Sequence, residues 1–175
     1  RTPQEWRALA QLWEGVGGAP ALLDPMIETA AAALGVEDYG AGAANISIGT
    51  NDLLAGVFGH SRDSAWPAPE RLLLEPAWLR LLQRVIAAVH LNGGRVTVCG
   101  VMASSPTGAL LAAGMGVDAL TLPTSALLRT RALLSATDAD ALGALACNCC
   151  AAGSSEQVRA LVAAASRSAA ESLEK

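Results

Sequence analysis

The sequence predicts an α/β chain, the C-terminal half of a (β/α)₈ barrel, and three observations point there. Short apolar runs at 22–27, 46–49, 95–99 and 119–122 alternate with helix-like segments, the rhythm of parallel strands joined by crossover helices. The runs are near-continuous in apolar residues, as strands buried under helices are. A complete barrel takes roughly 250 residues; 175 residues hold one domain with four βα units, over about 20–135, followed by helices over 137–173. A small doubly wound sheet is the rival architecture.

Each element has a local reason. Thr2-Pro3-Gln4-Glu5 supplies a cap, an N1 proline and a first-turn acid, and Trp6, Leu9, Leu12, Trp13 and Val16 share a helical face until Gly17-Gly18 stops it. Leu22 to Ile27 reads as a buried parallel strand ending at Glu28, with Thr29 to Leu34 as helix. Ile46 to Gly49 is the second strand, and Leu54 to Pro76, rich in Gly, Pro and Ser, reads as a long loop. Pro76 opens a helix whose apolar face is Leu79, Leu82, Val85, Ile86 and Val89, closed by Asn92-Gly93-Gly94. Arg95 to Cys99 is the third strand, Pro106 to Met115 a helix, and Ala119 to Leu122 the fourth strand, stopped by Pro123. Thr124 is expected to cap the next helix and Asp138 to start another; Gly153-Ser154-Ser155-Glu156 breaks it, and Val158, Leu161 and Val162 share the face of a last helix.

Composition excludes several function classes. Net charge is −4 and no Lys or Arg cluster stands out, which argues against nucleic acid or an anionic membrane surface as partner. The longest apolar stretch, Leu79 to Leu91, is interrupted by Arg80, Gln83, Arg84 and His90, so no ~20-residue membrane span is expected. Cys99 stands alone and Cys147, Cys149 and Cys150 stand together without the paired C-x-x-C spacing of a zinc site, which points to reduced thiols and a cytoplasmic protein. The chain opens on Arg1 without a leader pattern, as an internal piece of a longer polypeptide would. His60 and His90 read as loop and helix-surface residues.

Glu28, Asp52 and Cys99 close three successive strands, so in a barrel their side chains converge on one C-terminal rim. Two carboxylates from adjacent strands are enough for Mg²⁺, which completes its octahedron with substrate oxygens and water. The same residues have plainer readings: Glu28 and Asp52 as helix caps or first-turn acids, Cys99 as a small buried apolar side chain, and Arg62 as a solvated loop arginine.

The strand Ile46-Ser47-Ile48-Gly49-Thr50-Asn51-Asp52-Leu53, followed 47 positions after Asp52 by Val98-Cys99-Gly100, resembles the phosphoenolpyruvate (PEP)-binding barrel of the PEP-utilising enzymes. It is most similar to the Enzyme I branch, the PEP-protein phosphotransferases of the PEP:sugar phosphotransferase system. Met26-Ile27-Glu28-Thr29, whose Glu28 stands 24 residues before Asp52, fits the same pattern, and the resemblance covers about residues 1 to 135. It implies Mg²⁺ on Glu28 and Asp52, phosphate contacts from Asn51 and from Arg62 in His60-Ser61-Arg62-Asp63, and a proton donor in Cys99 that converts enolpyruvate to pyruvate. The chain departs from the family at Val101, where a Glu is usual, at Leu54-Ala55 in place of Thr-Gln, at Ala30 in place of Pro, and at Ser104-Ser105, where an Asp is expected nearby.

The implied function is Mg-dependent transfer of the PEP phosphoryl group to a histidine. The implied partners are a phosphohistidine domain and first half-barrel outside this chain, a phosphocarrier protein docking through that missing domain, and a second copy in a homodimer. Without them the chain is not expected to turn over. Two other readings stay open: a non-catalytic PEP-sensing or structural half-barrel, on the polar groups absent at Leu54, Ala55 and Val101, and the barrel of PEP synthase or pyruvate phosphate dikinase.

Overall fold

The computed structural model describes residues 2–19, 23–39, 43–60 and 69–173, with side chains of 166–173 excepted. The chain begins with α1 (Pro3–Gly15), where Glu5 N–H donates to Thr2 Oγ1 at 3.2 Å and Thr2 N–H to Glu5 Oε2 at 2.8 Å. This reciprocal cap is the one the sequence predicts. The apolar face of α1 behaves otherwise: Trp6 packs on the core, but Leu9, Leu12 and Val16 are 51%, 69% and 80% exposed.

The first strand, β1 (Met26–Ile27), is shorter than the expected Leu22–Ile27. Residues 20–22 lie outside the described residues, and Pro25, which has no N–H to donate, pairs only through its carbonyl, accepting Ser47 N–H at 3.0 Å. Next come α2 (Ala30–Leu34), a 3₁₀ turn (Val36–Tyr39) and β2 (Asn45–Gly49). The expected loop from Leu54 to Pro76 is corrected at both ends: α3 (Thr50–Val57) grows directly out of β2, and α4 (Pro69–Leu72) precedes Pro76. Leu53, Leu54 and Ala55 of α3 are buried, so packing sustains a helix whose N-cap, Gly49, offers no side-chain signal.

The clearest expectation holds at α5 (Pro76–Leu91), which buries Trp78, Leu79, Leu82, Val85, Ile86 and Val89, side chains worth roughly 1.5–3 kcal/mol each for the larger ones. After β3 (Arg95–Cys99) come α6 (Val101–Ser104), α7 (Pro106–Gly114), β4 (Ala119–Thr121), α8 (Thr124–Ser135), α9 (Ala139–Ala151) and α10 (Ser155–Leu173). Asp138 caps α9 as expected, accepting Ala141 N–H at 2.9 Å. Thr124 does not cap α8: Pro123 is the N-cap residue and Thr124 is the first residue inside, because the extended backbone falls on the proline. Cys149 and Cys150 are buried in α9 while Cys147 is exposed, and burial pushes the Cys149 thiol up to about 11.

The four strands pair in parallel in the order β1-β2-β3-β4, with no reversal of the kind a doubly wound sheet has. Their burial alternates, which corrects the expectation of continuously buried strands. Ile27, Ile46, Ile48, Val96 and Val98 lie in the core, whereas Met26, Ser47, Thr97 and Cys99 on the other face are half-buried or exposed. On that open face Thr97 Oγ1 donates to Asn45 Oδ1 at 2.9 Å. Among the described residues no helix is long and apolar enough to cross a membrane.

Candidate functional site

The strand register sets the site. Ile27 pairs with Ile48, so the next residue, Glu28, stands level with Gly49, and Gly49 in turn pairs with Cys99. Parallel strands in register put these positions on the same, open face of the sheet. Gly49 leaves the middle of this row without a side chain: a Cβ there would lie 3.1 Å from Glu28 Cβ and 3.0 Å from Met26 Sδ. Met26 and Glu28 thus close over Gly49, which is buried, and only a glycine fits between the carboxylate and the thiol without a shift of these side chains.

Cys99 is half-buried, and its thiol donates to the Ile48 carbonyl across a long 3.4 Å. Burial raises its pKa, the nearby Glu28 charge raises it further, and the Thr50 N–H, which favours the thiolate, opposes them. The net direction keeps Cys99 protonated, the form an acid needs. Among the described residues Glu28 has no hydrogen-bond or ion-pair partner, and Thr29, not Glu28, caps α2 by accepting Ala32 N–H at 3.2 Å. Capping therefore does not account for Glu28.

Asn51 and Asp52 sit in the first turn of α3, so Asp52 follows the end of β2 by three residues instead of closing it as expected. Asn51 Oδ1 accepts the Val101 N–H at 2.8 Å. Because that donor fixes which end of the amide is oxygen, the Nδ2 end is left to donate elsewhere. Arg62, the second expected phosphate contact, lies outside the described residues. No group of three or more His, Cys, Asp or Glu able to hold a metal is found among the described residues, Cys147, Cys149 and Cys150 included. Glu28 and Asp52 are hard oxygen donors of the kind Mg²⁺ takes, one or two protein carboxylates with substrate oxygens completing its shell.

Two residues important to this geometry were not singled out in the sequence. Thr50 is fully buried; its hydroxyl donates to the Cys99 carbonyl and accepts the Met102 N–H at 3.1 Å, tying the end of β2 to the end of β3. Gly100, at φ +80 and ψ −150, turns the chain from β3 into α6. The signal was available in the two motifs themselves, where Thr50 precedes Asn-Asp and Gly100 follows Cys99.

Residues 20–139 match the family model for the PEP-binding domain of PEP-utilising enzymes. A multiphosphoryl transfer protein of Xanthomonas campestris pv. campestris is 37% identical over 138 residues, covering 79% of this chain and 16% of that protein. The phosphoenolpyruvate-protein phosphotransferase of Enterococcus faecalis is 32% identical over 121 residues, 69% of this chain and 21% of that protein. Its counterpart in Lactococcus lactis subsp. lactis is 34% identical over 113 residues, 65% of this chain and 20% of that protein. The chain thus spans about a sixth to a fifth of the length of these relatives.

Proposed function

The chain belongs to the PEP-utilising enzymes, and from that premise we propose that it is the PEP-binding part of an Enzyme I-like PEP-protein phosphotransferase, which moves the PEP phosphoryl group to a histidine and releases pyruvate. The observation that carries this reading is the row Glu28–Gly49–Cys99, with Asn51 beside it on the neighbouring turn. A carboxylate, a protonated thiol and a fixed amide donor are groups that turning PEP into pyruvate uses.

Glu28 and Asp52 are the residues that would hold Mg²⁺, and the bound ion would supply neutralising charge to the oxygens of PEP. Asn51 presents its amide N–H₂ to a phosphoryl oxygen, with its other end locked on Val101; Arg62 is the second proposed phosphate contact. Once the phosphoryl group has left, Cys99 gives its proton to C3 of the enolate. Burial holds that proton on sulfur until a carbanion is there to take it.

We also read the sheet as the second half of a (β/α)₈ barrel, one domain over residues 1–175. The sequential parallel order, the core on one face and the single neighbour of both β1 and β4 support this. The phosphohistidine domain, the first half-barrel and the docking of a phosphocarrier protein then belong to chain outside this sequence, so these residues do not turn over alone.

The test uses the full-length protein that carries this chain. With Mg²⁺ and PEP labelled in the phosphoryl group, equal amounts of acid-labile phosphohistidine and pyruvate are expected. PEP binding without either product would overturn the reading in favour of a PEP-sensing domain.

A further inference from the structure

We propose that Thr50 is a positioning residue for the proton transfer, holding Cys99 so that its thiol faces the substrate carbon. The inference rests on the reading of Cys99 as the acid. Thr50 is fully buried and uses both capacities of its hydroxyl, donating to the Cys99 carbonyl and accepting from Met102 N–H at 3.1 Å. The Thr50 N–H also faces the Cys99 sulfur, where it favours the thiolate. One residue therefore holds Cys99 through its carbonyl and its side chain.

The need for such a hold follows from the turn. Cys99 is the last residue of β3, and Gly100 comes next at φ +80, a conformation that glycine enters and leaves with little steric penalty. The Cys99 thiol donates only across a long 3.4 Å contact to the Ile48 carbonyl, and the Thr50 N–H approaches its sulfur. What fixes the backbone from Cys99 to Met102 is the neighbouring strand end: Thr50 takes the Cys99 carbonyl and the Met102 N–H, and Asn51 takes the Val101 N–H. A buried threonine that served packing alone would be replaceable by valine of the same shape. Here valine would take the hydroxyl away from the part-buried Cys99 carbonyl and the buried Met102 N–H.

The step that depends on this placement is balanced. The S–H bond breaks, C3 of the enolate takes the proton with the electron pair of its C=C bond, and the C2–O bond becomes a carbonyl. The S–H electron pair stays on Cys99 as thiolate, which regains a proton from water. A shift of the thiol by even an ångström slows this step without touching the phosphoryl transfer before it.

The test again uses the full-length protein, with Thr50→Val and Thr50→Ser compared. In Thr50→Val, exchange of solvent tritium into C3 of pyruvate should fall by about tenfold to a hundredfold, while the single-turnover rate of phosphoryl transfer from PEP and the KM for PEP stay near parent. Iodoacetamide alkylation of Cys99 should move to higher pH as the Thr50 N–H drifts from the sulfur, and Thr50→Ser should restore both. Parent-like exchange and alkylation in Thr50→Val would overturn the proposal, and so would equal losses in both chemical steps, the mark of a general structural defect. If Thr50→Val does not fold, Thr50→Ala takes its place: loss of exchange alone, with Thr50→Ser at parent rates, supports the role, and failure of Thr50→Ser overturns it. Cys99→Ala separates the two ideas. If it retains exchange, Cys99 is not the acid, whereas the Cys99 alkylation profile of the Thr50 variants still reports on positioning.

Discussion

Asn51 and Gly100 meet across the ends of β2 and β3 so closely that a Cβ on Gly100 would lie 2.7 Å from Asn51 Oδ1, the atom that accepts the Val101 N–H at 2.8 Å. The same Cβ would lie 2.8 Å from Thr50 Oγ1, and its residue would be held at φ +80. Gly100→Ala should therefore combine backbone strain with a collision against two hydrogen-bonded atoms, at a cost on the order of 2–5 kcal/mol. Gly116, also at positive φ but with nothing within 4 Å of its missing Cβ, is the control, and Gly116→Ala should cost only about 1 kcal/mol. Denaturant midpoints measure both. Equal costs would mean that the Asn51 contact is not tight.

Much of this architecture was legible. Pro76 and Asn92-Gly93-Gly94 bracket α5 because a proline start and a polar, glycine-rich stop leave little choice, and the strand Arg95–Cys99 has the bounds the sequence predicts. Two elements escaped. β1 shrank because Pro25 removes a donor from the ladder, and α3 was hidden because it starts on the strand's own last glycine, with no polar cap to announce it. Within the site, Glu28 and Cys99 could be named from their strand ends, but their common level across Gly49 is a property of register. The motif holds Thr50 but not its role, because its hydroxyl acts on partners 49 and 52 positions away.

Glu28 should restrain the reactivity of Cys99. Burial raises the thiol pKa and the Glu28 carboxylate raises it further, so at neutral pH little thiolate is present. Glu28→Gln removes the second cause and should speed iodoacetamide alkylation of Cys99 a few-fold at pH 7.5, with the profile moving to lower pH. Unchanged alkylation would show that the carboxylate does not act on the thiol.

Catalysis should distinguish Cys99 from the cysteines of α9. Cys99→Ala should allow one phosphoryl transfer from PEP but abolish tritium exchange into pyruvate, whereas Cys147→Ala, an exposed helix-surface change, should leave exchange at the parent rate. The opposite pattern would mean that the acid lies elsewhere.

Mn²⁺ is a paramagnetic stand-in for the proposed Mg²⁺. Water relaxation in a Mn²⁺ titration of the full-length protein should report binding that weakens at least about tenfold in Glu28→Ala or Asp52→Ala and is lost in the double variant. Unchanged affinity in the double variant would remove both residues as ligands.

Acid should loosen the far end of the sheet. Asp118 Oδ2 accepts the Val96 N–H at 2.8 Å and lies 2.9 Å from His90 Nε2, so His90, on the helix surface as expected, joins α5 to the start of β3 and β4. The Val96 N–H and the His90 contact, with smaller help from the His90 and Arg95 charges, hold the Asp118 carboxyl below its ordinary value. A carboxylate lowered in the folded state contributes stability that is full above its unfolded value of about 3.9 and is lost as pH falls through the folded value. Asp118→Asn should cost on the order of 1 kcal/mol at pH 7 and flatten the acid limb of the stability curve. An acid limb identical to the parent's would assign that sensitivity to other carboxylates.

The 175-residue chain by itself should associate. Each of the edge strands, β1 and β4, has one neighbour, and unpaired strand edges beside apolar surface are templates for further pairing. In β1 Met26 is 49% exposed, and beside β4, Leu120, Leu122, Leu127 and Leu134 line a cleft of about 340 Å³ against α8. Burying apolar surface of this kind stabilises by roughly 25 cal/mol per Å². In the half-barrel reading the rest of the barrel covers both edges, and homodimerisation is the expected alternative when only this chain is present. Sedimentation should show dimers or larger species at micromolar concentration, and amides of Met26, Ile27 and Ala119–Thr121 should exchange fast in whatever monomer remains. Adding the missing half-barrel should slow exchange at both edges and give one defined species. A monodisperse monomer with slow exchange at both edges would mean that the sheet is closed by the chain's own residues and that the half-barrel assignment is wrong.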